Sequence, residues 1–185
     1  KDYKTALEAH HAFVRRYPEH SLAADALHTM GFIFFEQKRY EEAIAQFRTV
    51  VEKYATTKVA PSAALQIGIS FYNLQEYAKA RREFSALLLK YPETEQVEQA
   101  QFWLAKSYFA EENLEKAEQE FQLVREKYPN SQFAAEALYF TALCRYKKED
   151  LAGAQQYLEE ILRRYPNYPN IAAVHFRLGQ ILVSQ

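Results

Sequence analysis

Residues 18–54 read PEHSLAADALHTMGFIFFEQKRYEEAIAQFRTVVEKY, and residues 55–91 read ATTKVAPSAALQIGISFYNLQEYAKARREFSALLLKY. Laid one over the other, they match Gly31 with Gly68, Ala43 with Ala80, Phe47 with Phe84 and Tyr54 with Tyr91, each pair 37 residues apart. The spacing continues outward in both directions. Tyr17-Pro18, Tyr54-Ala55, Tyr91-Pro92, Tyr128-Pro129 and Tyr165-Pro166 form one column. Small residues form a second at Gly31, Gly68, Ala105, Ala142 and Gly179. A third runs Ala43, Ala80, Ala117, Ala154, and a fourth Phe47, Phe84, Phe121, Leu158. Four columns in one phase identify an internal repeat, and a period of roughly 20–50 residues marks a stack of supersecondary units.

Within each period the apolar residues recur at helical steps. Ala24, Leu27, Gly31 and Phe34 lie along one helical face, and so do Ala43, Phe47, Val50 and Tyr54. Each repeat is therefore a helix A, a short turn and a helix B. The spacing predicts helices at 2–16, 21–36, 40–53, 58–73, 77–90, 95–110, 114–127, 132–147, 151–164 and 170–184. Helix B stops before the Pro column because proline has no N–H to donate and disfavours helical geometry in the residue before it. Thr57, Thr94 and Ser131, with Ser21 one position late, are expected to cap the next helix A through their hydroxyl oxygens. The Tyr rings of the first column should pack between successive repeats, each hydroxyl reaching solvent or a backbone group.

The reading gives an all-α chain, a right-handed solenoid of antiparallel helix pairs forming a single array over 1–185. Residues 1–17 match a lone helix B, 18–54, 55–91, 92–128 and 129–165 are full repeats, and 166–185 match a lone helix A. The first residue is Lys1 and neither end looks like a polar cap, so the expectation is a piece of a longer protein. The small column lets helices A and B approach closely, and the Phe column fills the gap between pairs. One pair alone would leave an apolar face bare, so stacking is obligatory.

Composition narrows the function. The 185 residues carry 23 Lys plus Arg against 24 Asp plus Glu, a formal net charge of -1. A nucleic-acid binder usually shows a basic excess or stripe, so nucleic acid is not an expected partner. No charge-free apolar stretch approaches the roughly 18 residues of a membrane span, so this segment is not expected to insert directly into a membrane. Cys144 is the single cysteine, so no disulfide can form within the chain, and a buried inert thiol is expected there. His10, His11, His20, His28 and His175 do not form the helical pair of a zinc hydrolase, and four scattered glycines build no phosphate loop. No carboxylate pair stands out as an acid–base set. The chain is read as a non-enzyme, with no catalytic residue, no metal and no cofactor expected.

The columns resemble the tetratricopeptide repeat, whose pattern places Leu-Gly and an aromatic in helix A, then Ala, Phe and Pro. The first full repeat supplies Leu27, Met30-Gly31, Phe34, Ala43, Phe47 and Val50; the second supplies Ile67-Gly68, Phe71, Ala80, Phe84, Leu87 and Pro92. The third and fourth follow with Leu104-Ala105, Tyr108, Ala117, Phe121, Pro129 and with Ala142, Ala154, Leu158, Pro166. Arg145 stands in the aromatic column, Ala55 in the Pro column, and the tryptophan of the pattern is absent from its column, Trp103 lying in a neighbouring one. The common repeat has roughly 34 residues. The period of 37 looks like bacterial envelope adaptors, namely the periplasmic coordinator of the Tol–Pal system and the outer-membrane assembly lipoprotein BamD.

The resemblance implies that helix A lines an inner wall. Three of its columns would point inward: His28, Leu65, Phe102, Tyr139, Phe176; Phe32, Ile69, Lys106, Leu143, Gln180; and Phe35, Tyr72, Phe109, Tyr146, Val183. Aromatic residues anchor interfaces. The expected binding residues are Tyr72, Phe102, Lys106, Phe109, Tyr139, Arg145 and Tyr146, with a protein or peptide as partner. The implied role is an adaptor in the periplasm or at the outer membrane. The alternatives are a spacer or self-assembly module joined through bare repeat ends, and a cytoplasmic scaffold of the same fold.

Overall fold

The computed structural model describes residues 2–184; Lys1 and Gln185, the outer limits of the expected array, lie outside the described residues. Those residues form ten α-helices: α1 (Tyr3–Arg16), α2 (Ala23–Glu36), α3 (Tyr40–Lys53), α4 (Ala60–Asn73), α5 (Tyr77–Lys90), α6 (Gln96–Ala110), α7 (Leu114–Lys127), α8 (Ala134–Lys147), α9 (Leu151–Arg164) and α10 (Ile171–Ser184). Even-numbered helices are A-type and odd-numbered ones B-type. α3, α5, α7 and α9 have the bounds the spacing predicts. The A helices start one or two residues later than expected, and the link before them explains why.

Each link repeats one hydrogen-bonding scheme. The Tyr that follows a B helix leaves helical geometry, with φ of -134° at Tyr17, -127° at Tyr54 and -130° at Tyr91. Its carbonyl accepts from the N–H three residues on, at His20, Thr57, Thr94, Ser131 and Tyr168. That residue's carbonyl then accepts from the N–H a further three residues on, at Ala23, Ala60, Val97, Ala134 and Ile171. Two turns in tandem therefore precede helix A. The expected Thr caps are corrected here. Thr57 and Thr94 donate their hydroxyls back to the Tyr54 and Tyr91 carbonyls, at 2.7 and 2.9 Å, so they close the link. Ser131 Oγ accepts from the Phe133 N–H just before the helix, and His20 Nδ1, not Ser21, does the same for the Leu22 N–H. The Ala55 link keeps this geometry without a proline, so proline alone does not set it.

The A-to-B turns also repeat. Lys38, Gln75, Glu112 and Glu149 have φ of 60°, 62°, 59° and 63°, the left-handed region. The next N–H reaches back five residues, from Arg39 to the Phe34 carbonyl and from Glu76 to the Phe71 carbonyl. This closes the end of helix A in the Schellman manner. Helix B then begins with a cap at a fixed column where the residue allows it. Asp2, Asn113 and Asp150 each accept an N–H from the first turn.

The chain divides into two compact units, Lys1–Ala100 and Gln101–Gln185. In the first, each helix from α1 to α5 packs on the next, and α2 also touches α4. Its core holds Leu27, Ala43, Phe47, Val50, Ala63 and Ile67. A Cβ built on Gly31 would lie 2.5 Å from Phe47 Cε1, and Gly68 meets Phe84 in the same way. In the second unit α7, α8, α9 and α10 pack in order. Phe102, Ala117, Phe121 and Cys144 form one cluster, and Leu138, Ala154, Leu158, Val174 and Ile181 form another. Tyr hydroxyls tie repeats together within each unit. Tyr54 donates to the Pro18 carbonyl at 2.7 Å, Tyr91 to Ala55 at 3.2 Å and Tyr165 to Pro129 at 3.4 Å. Tyr17 starts the column and is 47% exposed.

Candidate protein-binding wall

The expected binding residues sit on A helices, and each unit places its own set. In the first unit Tyr72 lies near the end of α4, half-buried, its ring 5.2 Å from Tyr77 at the start of α5. Burial, then Tyr77, holds its hydroxyl above the usual phenol range. Phe35 repeats the arrangement one period earlier, 5.3 Å from Tyr40. One face of such a ring packs on the following B helix while the residue stays partly open, which suits an anchor that needs little ordering on binding.

In the second unit Phe140 of α8 is the hub. Its ring centroid lies 5.2 Å from Phe109, 6.1 Å from Phe102 and 6.2 Å from Tyr139. The Lys106 ammonium is 4.4 Å from the centroid of Trp103, 5.4 Å from Phe140 and 5.6 Å from Phe102. A cation over ring faces is held by the ring quadrupole. Burial pulls the Lys106 pKa below its ordinary value, and the carboxylate of Glu136 opposes that shift. Tyr146 is half-buried, with the Arg177 guanidinium 4.8 Å from its ring centre. Lys147 lies 5.9 Å from the Phe109 ring and pairs with Glu112 at 2.6 Å. The wall of this unit thus alternates aromatic faces with cations.

Two expected residues take other places. Phe102 is 2% exposed, packed between Phe121, Phe133 and Phe140, and forms the floor of the wall. Arg145 turns away toward α7 and the turn before α9, bonding Glu118 and, at 3.0 Å, Asp150. Glu118 is nearly buried and also meets Lys148 at 3.4 Å. The charge that breaks the aromatic column is therefore paired, which removes the penalty of an isolated half-buried cation. Beneath it the Cys144 thiol is buried, its pKa pushed up to about 12, first by burial and then by Glu118. Trp103 and Phe140 were missed by the column reading because the inward columns stop one residue short of both. Their signal is adjacency to Phe102 and Tyr139 on faces wider than a single column.

Among the described residues no group of three or more His, Cys, Asp or Glu could hold a metal ion, and no helix is long and apolar enough to cross a membrane. A cavity of about 570 Å³ opens between the links of residues 131–133 and 164–170, and it adjoins the aromatic wall: Phe133 and Tyr168 of its lining lie 5.2 Å from the Phe102 ring and 6.4 Å from the Tyr139 ring.

The helix pairs have the tetratricopeptide-repeat fold. Tetratricopeptide family models match residues 25–57 and 65–132. The family model of the outer membrane lipoprotein YfiO matches residues 105–185, so the fold resembles that family over the second part of the chain. Among solved structures, a tetratricopeptide repeat protein from Parabacteroides merdae is 20% identical with a TM-score of 0.75, the match covering 98% of this chain and 70% of that one. BtubC from P. vanneervenii is 12% identical with a TM-score of 0.75, covering 97% and 80%. PilF of Pseudomonas aeruginosa is 18% identical with a TM-score of 0.62, covering 91% and 70%. Nothing matches among curated proteins.

Proposed function

We propose that this chain is a protein–protein interaction scaffold of the bacterial cell envelope, in the periplasm or at the outer membrane, and that the A-helix wall is its docking surface. The observation that carries the reading is the wall of the second unit, where Trp103, Tyr139, Phe140 and Tyr146 surround or adjoin Lys106 and Arg177. Amphipathic rings beside cations are the composition of interface centres. Tyr72, Phe109, Tyr139 and Tyr146 contact the partner, Lys106 meets its carboxylates or carbonyls, Phe102 supports the wall from below, and Arg145 braces α8 from behind. The repeats 18–54, 55–91, 92–128 and 129–165 act as one array. The match to an outer membrane lipoprotein family over residues 105–185 supports the envelope location. The partner is a protein segment, extended or helical, as such grooves take.

The test uses a photo-crosslinking residue placed at Phe109 or Tyr146 and, as control, at Glu159 on the exposed face of α9. Crosslinks to one partner in intact cells should form from the first two positions and not from the third. With that partner in hand, Phe109→Ala or Tyr146→Ala should weaken capture at least tenfold, about 1.4 kcal/mol, with circular dichroism unchanged. Crosslinking only from Glu159, or full capture by both variants, would move the site to the B helices.

A further inference from the structure

The link of residues 165–170 reads YPNYPN, and its side chains break the columns of the other links. Tyr168 stands where they carry His20, Thr57, Thr94 and Ser131, and Phe133 stands in a column of Leu22, Val59, Gln96 and Asn170. Pro166 and Pro169 hold φ fixed on either side of Tyr168. Tyr168 is 8% exposed and belongs to the core cluster of Leu138, Leu158 and Val174. With Phe133 and Tyr165 it supplies the rings of the cavity of about 570 Å³, which lies between the link from α7 to α8 and the link from α9 to α10. That volume is in the range of ligand sites. The polar part of the lining is short of partners. Glu136, in the first turn of α8, is half-buried, and among the described residues its carboxylate makes no hydrogen bond or ion pair. The Tyr168 hydroxyl is shut off from water and has no hydrogen bond of good geometry. Burial pushes that phenol up to about 12, with Asn170 opposing and Glu136 adding to the rise. Arg164, the cation of the lining, is engaged by Glu160 at 2.7 Å and lies over the Tyr165 ring.

We propose that this cavity takes an arginine side chain of the partner segment, its guanidinium donating to Glu136 while its plane lies on the rings of the YPNYPN link. The proposal rests on the reading of the chain as a scaffold and adds the chemistry of what the scaffold holds. An unpaired carboxylate beside ring faces is complementary to a cation, and Glu136 repels a guest carboxylate. Arginine suits the place better than lysine, because a planar fork can stack and donate at once. The wall is formed in advance. Prolines fix the link, and Tyr139 and Phe102 pack on Tyr168 and Phe133, so little freedom is lost when the guest arrives. The cavity exceeds one side chain, so the residues flanking the arginine enter with it.

Amide NMR of the isotope-labelled chain, titrated with the capped tripeptide acetyl-Gly-Arg-Gly amide, tests it. Shifts should gather at residues 131–136 and 164–170 and saturate in the millimolar range. Citrulline in place of the arginine, an uncharged isostere, should weaken binding roughly tenfold, the worth of one charge-assisted pair. Glu136→Gln should do the same. Glu159→Gln, an equal loss of charge on the exposed face of α9, should not. Gln132→Trp, at an exposed position of the lining, should block the cavity and abolish the shifts with circular dichroism unchanged. Ethylguanidinium alone should bind severalfold more weakly than the tripeptide; equal affinity would make this a site for free small cations and overturn the proposal. So would a citrulline peptide that binds as well as the arginine one, or shifts spread over the acidic faces of the B helices. Failure here leaves the crosslinks from Phe109 and Tyr146 unaffected, and absence of those crosslinks does not alter this titration.

Discussion

At Gly68 the methyl group of an alanine would run into the Phe84 ring, while at Gly179 it would meet open space. The two glycines share a column yet should answer the same substitution with opposite signs. Gly68→Ala forces a fully buried ring to shift and should cost roughly 1–3 kcal/mol. Gly179→Ala in dilute protein removes the helix penalty of glycine and should stabilise by up to about 1 kcal/mol. Urea denaturation of both variants checks this; equal effects would mean that neither glycine is defined by its ring partner. Sequence shows the column, because period and residue size are both legible there. It does not show which glycine is covered, since that depends on the neighbouring helix. Lys106 teaches the same. Its inward column was readable, but its place between Trp103 and Phe140 depends on ring orientations that no spacing encodes. Phe102 and Tyr139 share a column, yet only Phe102 is fully buried, because Phe121 and Phe133 close over it.

At the scale of the helix and its ends, the B helices α3, α5, α7 and α9 were legible to the residue because a turn and a tyrosine bound each one. The A helices were not, because the Thr57 and Thr94 hydroxyls could satisfy either the helix ahead or the turn behind, and they take the turn behind. The left-handed residue of each A-to-B turn gave no signal at all. Lys38, Gln75, Glu112 and Glu149 are neither glycine nor asparagine, the usual occupants of that conformation. A side chain there carries a steric cost that glycine avoids. Gln75→Gly should therefore stabilise the protein by up to about 1 kcal/mol, after allowance for the extra freedom of glycine in the unfolded chain. Thermal unfolding would detect this as a higher midpoint. A lower midpoint would show that the Gln75 side chain makes a contribution its backbone geometry hides.

For the molecule as a whole, the perturbed acidic groups and His28 shift in one direction, so acid should weaken the fold in two stages. Burial lowers the pKa of His28, with Asp25 opposing, so the folded state binds that proton less tightly than the unfolded chain. Its stabilising contribution is present above the unfolded value of about 6.5 and is lost as pH falls through that value toward the folded one. Asp150, held down by the Gly153 N–H and then Arg145, and Glu112, held down by Lys147, contribute above the ordinary carboxylate range and lose that contribution as pH falls through it. Urea midpoints should be flat from about pH 7 to about pH 8, below the range where an unfolded thiol ionises, decline near pH 6 and decline again near pH 4. His28→Gln should remove the first stage and leave the second; an unchanged first stage would put its origin elsewhere. The tyrosine ties bear on a different matter, the history of the chain. Tyr54, Tyr91 and Tyr165 each bond a carbonyl 36 residues back, whatever lies between. A joint of constant reach does not distinguish the repeats it joins. A copying slip that adds or drops one whole period leaves every joint with its reach, whereas a slip of another length changes the reach of the joint that spans it. Whole steps are thus the changes of length that this joint accommodates without adjustment.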